Sequence, residues 1–268
     1  MITHNGKYLG AATHHGMPIV AATMGGKMVF RTWLPLATQQ AIVAAFGSAE
    51  GTEVIAKTND YLNRIATTDP QRALQISGFI NEDPLLVCSL VETSKVRTAT
   101  IRNKSLNAYH NGLIMPFTWQ EVGSMDMTIQ TDNNNAMIIS QATSLTDPTK
   151  YSGYYSFGGS NGSGVTITRQ GTWTLNALVS VGLTFAANTK TQYLRLCGWQ
   201  NASWTYDITI AYWNIYDTAG NPFVKLVPFL TTDGEVCFLD LVNLQLHHNV
   251  YTGPFTIALT SKTTETTS

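Results

Sequence analysis

Apolar and small polar residues alternate over residues 171–185. The apolar positions are Trp173, Leu175, Ala177, Val179, Val181, Leu183 and Phe185. Because successive residues of a β-strand lie on opposite faces, this alternation predicts one long strand with a single face on a core. The strand is expected to span roughly 40 Å, and Gly182 is the natural place for a bend or bulge between two sheets. The stretch therefore predicts a β-sandwich.

Further strand-like segments follow at short intervals through residues 105–268. They lie at residues 125–129, 136–141, 165–169, 192–199, 205–216, 223–230, 235–246 and 255–259. Within 205–216 the pattern places Tyr206, Ile208, Ile210 and Tyr212 on one face. Asp233-Gly234 is a two-residue hairpin signal between two of the segments. The predicted fold class is mainly β, with an antiparallel sandwich or jelly roll as the C-terminal domain, a short helical connector and an N-terminal β repeat.

The first 32 residues contain a repeat with a period of ten, read as MITHNGKYLG, AATHHGMPIV and AATMGGKMVF. Each unit has a β-prone start, a glycine that suits a turn, and an apolar pair, so each unit predicts a short hairpin. An isolated ten-residue hairpin is only marginally stable, so the units need a surface to dock on, either a partner or the chain's own sheet. The docking residues are predicted to be Tyr8, Leu9, Ile19, Val20, Val29 and Phe30.

Two of these units, NGKYLG at 5–10 and GGKMVF at 25–30, resemble the starts of virion proteins of bacteriophages that infect Bacteroidales, including fibre and appendage proteins of crAss-like phages. The resemblance implies a non-enzymatic virion structural protein, such as a head-fibre or decoration subunit, attached to capsid or other virion proteins through residues 1–30. The pattern of 171–185 and the paired strands after it is similar to the trimeric jelly-roll heads of tumour-necrosis-factor-like and phage fibre proteins. That similarity implies a homotrimer.

Residues 33–104 are predicted to form a helical and β connector or stalk. Thr38 is a candidate cap for a helix over 39–46 that ends at Gly47, and Thr52 is a candidate cap for a second helix that ends at Ala66. In the second helix the spaced residues are Ile55, Thr58, Leu62 and Ile65. This spacing suits either a short stalk against a partner helix or a cover for the chain's own sheet. Residues 73–80, 85–93 and 95–102 are expected to form a small β meander.

Charged residues make up only 12% of the chain, and 37 Thr and 18 Asn supply neutral hydrogen-bonding groups instead. With a net charge of −1, we expect no nucleic-acid or anionic membrane partner. The local basic run of Lys95, Arg97, Arg102 and Lys104 is interpreted as a solvated strand face. No basic region followed by an apolar stretch begins the sequence, so we expect no signal peptide and synthesis in a cytoplasm. The resemblance to virion proteins implies that this cytoplasm is that of the bacterial host and that the protein ends in the virion. The three cysteines, Cys88, Cys197 and Cys237, are expected to be reduced core residues.

Motifs for chemistry are weak, and we expect no catalytic site, cofactor or metal. Residues 158–162 match G-x-S-x-G, but a β-type segment rather than a helix follows them. The His14-His15 and His247-His248 pairs are expected in turns or at strand ends, because neighbours on a strand cannot easily chelate one ion. Asp132 and the three asparagines after it are equally ordinary turn formers.

Aromatic residues beside neutral amides and hydroxyls are the remaining functional lead. Tyr154 and Tyr155 precede the glycine-rich stretch at 158–164, and Trp199 and Trp204 bracket Gln-Asn-Ala-Ser. Rings of this kind suit sugars, which present an apolar face and hydroxyl groups without charge. The alternative function is therefore a receptor-binding tail protein that binds a host-surface or mucosal glycan. The same rings also suit the ends of a sandwich core or a subunit interface.

Overall fold

The computed structural model describes the backbone at residues 3–4, 7–8, 13–14, 17–18, 21–24, 27–31, 33–102, 112–131, 137–145, 151–156, 167–170, 177–198, 200–201, 204–205, 207–248 and 255–262. Contacts divide the chain into two compact units, Met1–Thr93 and Ser94–Ser268. The second unit thus begins ahead of residue 105, where the sequence suggested a boundary. The predicted mainly β fold class, with an antiparallel sandwich and a short helical part, is confirmed.

The N-terminal repeat forms three antiparallel hairpins. Their strands are β1 Thr3–His4, β2 Lys7–Tyr8, β3 Thr13–His14, β4 Met17–Pro18, β5 Ala21–Met24 and β6 Lys27–Arg31. In each hairpin the two strands are separated in sequence by two residues, and the second of these is glycine. Among the described residues, strand pairing stays within each hairpin. The period of ten is therefore a period of one hairpin.

Three helices and a 3₁₀ turn complete the first unit. They are α1 Leu36–Phe46, α2 Ser48–Ala66, α3 Pro70–Glu82 and η1 Pro84–Ser89. Gly47 separates α1 from α2 at φ 83°, a value that glycine adopts without strain. Gly51 lies where α2 meets α1, since a Cβ there would come within 2.7 Å of the Val43 Cα. Asp69 caps α3 by accepting a hydrogen bond from the Arg72 N–H at 2.9 Å.

Several predictions for this unit were wrong. Thr38 is buried inside α1 and donates to Asn81 Oδ1 at 3.1 Å, so it is not a cap. Thr52 bonds back to the Ser48 carbonyl at 2.7 Å within α2. The proposed strand at 73–80 belongs to α3, because the Asp69 cap and Pro70 at the first helical position start a helix there.

The apolar face of α2 packs inside its own unit. Its buried residues are Gly51, Val54, Thr58 and Leu62. This face meets α1 and α3, while Ile55 and Ile65 are half-buried. Neither alternative predicted for it, a stalk with a partner helix or a cover on the chain's own sheet, is needed to account for the burial.

The second unit is a sandwich of two antiparallel sheets. Its strands are β7 Lys95–Arg102, β8 Gly112–Thr118, β9 Val122–Thr131, β10 Met137–Ala142, β11 Tyr151–Ser156, β12 Ile167–Gln170, β13 Val179–Phe185, β14 Tyr193–Gly198, β15 Gln200–Asn201, β16 Trp204–Thr205, β17 Asp207–Asp217, β18 Pro222–Leu230, β19 Val236–Asp240, β20 Gln245–His247 and β21 Phe255–Ser261, with a 3₁₀ turn, η2 Trp119–Glu121. The small sheet has the order β11-β10-β14-β8. The nine-stranded sheet runs β12-β13-β9-β17-β18-β19-β20, with β7 pairing with β17 and β21. Strands β15 and β16 form a separate hairpin.

The hydrophobic core lies between the two sheets. The small sheet contributes Met115 and Phe117 from β8 and Leu194 from β14. The large sheet contributes residues of six strands, β7, β9, β13, β17, β18 and β19, and its largest fully buried side chains here are Trp213 and Phe238. Trp119 from η2 meets Phe185 edge-on, with ring centroids 5.6 Å apart. This core confirms the sandwich at the level of side chains.

Strand β17 is the centre of the large sheet. It pairs along most of its length with β9, while its first half pairs with β7 and its second half with β18. The pairing of β17 with β9 skips Ala211, which marks a bulge in β17. Ile208 and Ile210 face the core before the bulge, and Trp213 and Ile215 face it afterwards. The prediction that Tyr212 shares a face with Ile210 is therefore wrong, because the extra residue inverts the alternation.

Strand β13, the strand expected to organise the fold, has a more limited role. Residues 171–176 lie outside the described residues, and Ala177 is exposed ahead of the strand. From Val179 to Phe185 the predicted alternation holds, with Val181, Leu183 and Phe185 buried. No bulge occurs at Gly182, since the register is continuous with β12 and with β9. Paired strands on both sides keep the described part of β13 in one sheet.

The β18–β19–β20 meander follows the predicted segments with different turns. Leu230 pairs with Val236, so five residues rather than Asp233-Gly234 alone connect β18 to β19, and Gly234 adopts φ 88°. The segment predicted as one strand at 235–246 is two strands joined by a turn at 241–244. The Asp240 side chain accepts a hydrogen bond from the Val242 N–H in the turn, which explains the break between the two strands.

Strand β7 is paired on both sides within the sandwich. Arg97 lies on the same face of β7 as the buried Ala99 and Ile101, so the expected solvated basic face is wrong at Arg97, which is only 3% exposed. Cys237 is buried as predicted, Cys88 is half-buried in a 3₁₀ turn, and the Cys197 side chain lies outside the described part. No helix in the described ranges has the length and apolar character of a membrane span.

Candidate functional site

A cleft opens at one edge of the sandwich, where the small sheet ends at β8 and the large sheet continues to β20. Its volume is about 320 Å³. Its apolar lining consists of Pro116 and Phe117 from β8 with Phe223 and Val224 from β18, and its polar lining includes Asn243, Gln245 and His247. Glu121 and Asp240 complete the lining. The unequal widths of the two sheets thus create a concave surface within the second unit.

The apolar wall of the cleft is a pair of tilted rings. The Phe117 and Phe223 centroids are 4.7 Å apart, with an interplanar angle of 52°. Phe117 is buried in the core, whereas Phe223 is half-buried and reaches the cleft surface. Tilted ring pairs of this kind are favourable contacts beyond the apolar area that they bury.

Asp240 organises the polar part of the lining. One carboxylate oxygen accepts hydrogen bonds from the backbone N–H of Lys225 at 3.0 Å and of Val242 at 2.8 Å. The other accepts from the Asn243 amide at 2.6 Å, and the same amide group donates to the Phe223 carbonyl at 3.0 Å. The Asp240 side chain is 1% exposed. Its bonds fix both the 241–244 turn and Asn243 at the cleft rim.

Glu121 is held at the rim by a capping box on η2. Its Oε2 accepts hydrogen bonds from the Thr118 N–H at 2.6 Å and from the Thr118 hydroxyl at 2.7 Å. The side chain is otherwise exposed. The carboxylate is therefore positioned by the protein itself before any ligand is present.

His247 ends β20 as the sequence predicted for one of its histidine pairs. Its Nε2 is buried and has no hydrogen-bond partner in the part of the chain that the structure describes. Burial, opposed by the nearby Asp240 carboxylate, lowers the pKa of His247 below its ordinary 6.5. The imidazole is therefore neutral near neutral pH. The neighbouring His248 instead contacts Glu235 through Nδ1 at 2.9 Å.

A second polar surface lies on the face of the large sheet that points away from the core. Asn214 on β17 donates to Asp126 Oδ2 on β9 at 3.2 Å. Burial and the neighbouring Asp126 carboxylate raise the pKa of Tyr216 above its ordinary value. Beside them, the hydroxyls of Thr128 and Ser180 are 2.9 Å apart. This surface is polar and contains a tyrosine, but the described cavities do not include it.

The largest described cavity lies elsewhere, in the helical unit. It is a wide-open groove of about 710 Å³ beside α2, and Lys57, Arg64 and Glu92 are among its lining residues. Lys57 forms an ion pair with Glu53 at 2.7 Å, and the Glu53 carboxylate raises the pKa of Lys57. Solvated charges of this kind are ordinary for a helix surface, so we regard the smaller sandwich cleft as the stronger candidate.

The described part of the chain does not test the predicted glycan-binding residues. Tyr154 and Tyr155 lie on β11, where their backbone positions pair with Ser140 and Ile139 of β10. Trp204 lies on β16 and pairs with Asn201. Trp199 lies outside the described residues, as do the side chains of the other three. Their proposed role stays a prediction.

The other sequence motifs are placed as follows. Tyr8 lies on β2, and Val29 and Phe30 lie on β6, whereas Leu9, Ile19 and Val20 fall outside the described residues, as does the G-x-S-x-G match at 158–162. The side chains of His14 and His15 are not described either. Within the described ranges, no group of three His, Cys, Asp or Glu side chains has the arrangement of a metal site.

Sequence reasoning missed most of the cleft. It singled out His247, but not Glu121, Asn243, Gln245 or Phe223. One signal was available, since Thr118-Trp-Gln-Glu121 has the S/T-x-x-E spacing of a capping box. The others come together only through the pairing of β18, β19 and β20.

Comparisons with family models, with curated proteins and with solved structures find no match to this chain. The functional argument therefore depends on the residues and geometry described above.

Proposed function

We propose that the protein is a non-enzymatic structural component of a virion, a head-fibre or surface decoration subunit that its N-terminus attaches to capsid or other virion proteins. The supporting observation is the series of three hairpins ahead of the helical and sandwich units. Their strands are two to five residues long. Hairpins of this size are marginally stable alone, so a surface on which they dock would stabilise them.

The attachment would combine apolar contacts with strand addition. Strand pairing within each hairpin leaves outer edges whose N–H and C=O groups suit pairing with an edge strand of another protein. The residues proposed to contact that protein are the apolar pairs of the repeat: Tyr8, Leu9, Ile19, Val20, Val29 and Phe30. Three similar units in series would multiply a weak contact, because each bound hairpin raises the local concentration of the next.

We further propose that the subunit acts as a homotrimer. The proposal rests on the low surface charge and on the resemblance of the strand pattern to trimeric fibre heads. The α2 face gives it no support, because that face packs within its own unit. Mass measurement in solution tests it. A trimer has three times the 29.3 kDa of the chain, and a monomer at micromolar concentration would refute it.

Location on the particle is the direct test of the main proposal. Antibodies raised against the whole chain should label purified phage particles in immunogold electron microscopy, at regular sites on the head for a head fibre. Label at the tail would favour the second candidate below. Antigen found only in the soluble fraction of infected cells would refute a virion role.

Glycan binding by the sandwich is the second candidate function. Two described surfaces favour it, the cleft between β8 and β20 and the polar face around Asp126 and Tyr216. Each combines an aromatic ring with amide or hydroxyl groups, and sugars are recognised by that combination. In a virion protein such a site would serve attachment to a host surface.

A further inference from the structure

Two polar groups at the rim of the sandwich cleft are fixed before any ligand is present. The Thr118 backbone and hydroxyl hold Oε2 of Glu121, and Asn243 is held by Asp240 and by the Phe223 carbonyl. Both side chains are nevertheless exposed. A ligand would therefore bind hydrogen-bonding groups that are already ordered in the free protein. Such preorganisation is the condition for useful affinity at a small site.

The third rim group, Gln245, offers an amide that both donates and accepts. It is exposed at the start of β20, directly across the strand pair from Asp240. Gln245, Asn243 and Glu121 thus surround one opening, with the half-buried ring of Phe223 beside them. This arrangement provides several polar groups around one apolar surface.

The charges of the lining disfavour anionic ligands. Glu121 and Asp240 bring carboxylates to the cleft, and no Lys or Arg is among its described lining residues. The depressed pKa of His247 keeps its ring uncharged near neutral pH. Like charges repel more strongly near a low-dielectric protein wall than in water, so a sialic acid, uronic acid or phosphate would be disfavoured.

Size limits the ligand further. A volume of about 320 Å³ lies at the lower end of the range for small-molecule sites. The cleft is therefore suited to one ring rather than to an extended chain. A neutral sugar ring matches the requirements, because it has one apolar face for Phe223 and several hydroxyls for Glu121, Asn243 and Gln245.

We infer that the cleft between β8 and β20 binds a single ring of a neutral glycan, with its apolar face on Phe223 and its hydroxyls on Glu121, Asn243 and Gln245. The inference deepens the second candidate function and rests on it. It assigns glycan recognition to residues other than Tyr154, Tyr155, Trp199 and Trp204. Binding at the cleft needs no particle, so it can be tested apart from the virion proposal.

Titration of the full-length chain with neutral methyl glycosides, followed by amide chemical shifts, is the appropriate experiment. At least one neutral hexoside or N-acetylhexosaminide should shift the amides of residues 243–247 saturably. The Gln245→Ala variant should bind about three- to tenfold more weakly, since it loses one of a few hydrogen bonds. The matched control is Gln120→Ala, an exposed glutamine on η2 that does not line the cleft, and its affinity should be unchanged.

Three outcomes would overturn the inference. They are no saturable shift with any neutral glycoside at millimolar concentration, a preference for sialosides, or equal binding by the Gln245→Ala variant and the native chain. A Phe223→Leu variant should also bind more weakly. If its unfolding temperature is unchanged, misfolding is excluded as the cause of the weaker binding. Binding by a chain that proves absent from particles would retain the cleft assignment and refute the virion proposal.

Discussion

The N-terminal hairpins and the sandwich use the same sequence device, short β segments separated by glycine-containing turns, with different results. In the hairpins each described strand pairs with one partner. In the sandwich β17 is 11 residues long and pairs with β9, β7 and β18, and its alternate residues enter a shared core. Regular local sequence therefore suffices for a hairpin, whereas pairing on both sides and a core give a sheet stability of its own. The contrast predicts that damage to β17 unfolds the sandwich and that loss of the hairpins does not.

Deleting Ala211 should have the largest effect. Without the bulge residue, β17 cannot keep both Ile210 and Trp213 facing the core, so half of the strand would turn its apolar residues outward. We expect loss of the cooperative unfolding transition of the sandwich, measured by near-ultraviolet circular dichroism. The control variant Ala211→Gly keeps the residue count and should retain a transition at lower temperature. A deletion variant with native-like unfolding would show that the bulge is dispensable.

Trp213→Ala comes next. The fully buried indole leaves a large cavity, so the free energy of unfolding should fall by about 3–5 kcal/mol in urea denaturation. The neighbouring half-buried Tyr212 faces away from the core, and Tyr212→Ala should cost less than half as much. A larger loss of stability for Tyr212→Ala than for Trp213→Ala would restore the face assignment expected from sequence.

The helical unit offers a matched pair of glycines. A Cβ at Gly51 would meet the Val43 backbone, so Gly51→Ala should destabilise the unit by about 1–3 kcal/mol. At Gly78 in α3 nothing lies within 4 Å of the position that a Cβ would take, so Gly78→Ala should stabilise by about 0.5–1 kcal/mol. Thermal unfolding followed at 222 nm separates the two. Equal effects at both sites would contradict the close approach of α1 and α2.

A smaller effect concerns pH. Because the pKa of His247 is lower in the folded chain than its ordinary 6.5, the unfolded chain binds the proton more readily. The resulting stability is fully present above pH 6.5 and declines as the pH falls from there toward the folded pKa. His247→Gln should therefore lose less stability than the native chain in that interval, measured by urea denaturation at a series of pH values. Parallel profiles would mean that His247 is not desolvated.

Sequence reasoning succeeded where one local signal determines the structure. The ten-residue repeat gave three hairpins, Gly47 and Ala66 ended helices as expected, and Met125, Met127 and Ile129 face the core. In each case the spacing of apolar residues or a single backbone requirement is decisive.

Sequence reasoning failed where pairing with a strand distant in sequence determines the structure. Residues 207–217 contain apolar side chains at both even and odd positions, so the pattern fits a strand with a bulge or without one, and pairing with β9 selects the bulge. The regular pattern at 171–185 exaggerated the role of β13, because alternation reports burial on one face and not position in a sheet. The cleft escaped prediction for the same reason, since its residues come from β8, η2, β18 and the segment 240–247.

The central claim is that residues 1–30 attach the protein to a particle while the rest of the chain folds without them. The direct measurement is cosedimentation with purified particles that lack the protein, using the full chain, a chain that begins at residue 33, and a fluorescent carrier protein fused to residues 1–32. We predict that the full chain and the fusion sediment with the particles, and that the shortened chain stays in solution with the unfolding temperature of the full chain. Sedimentation of the shortened chain, or its aggregation, would contradict the claim.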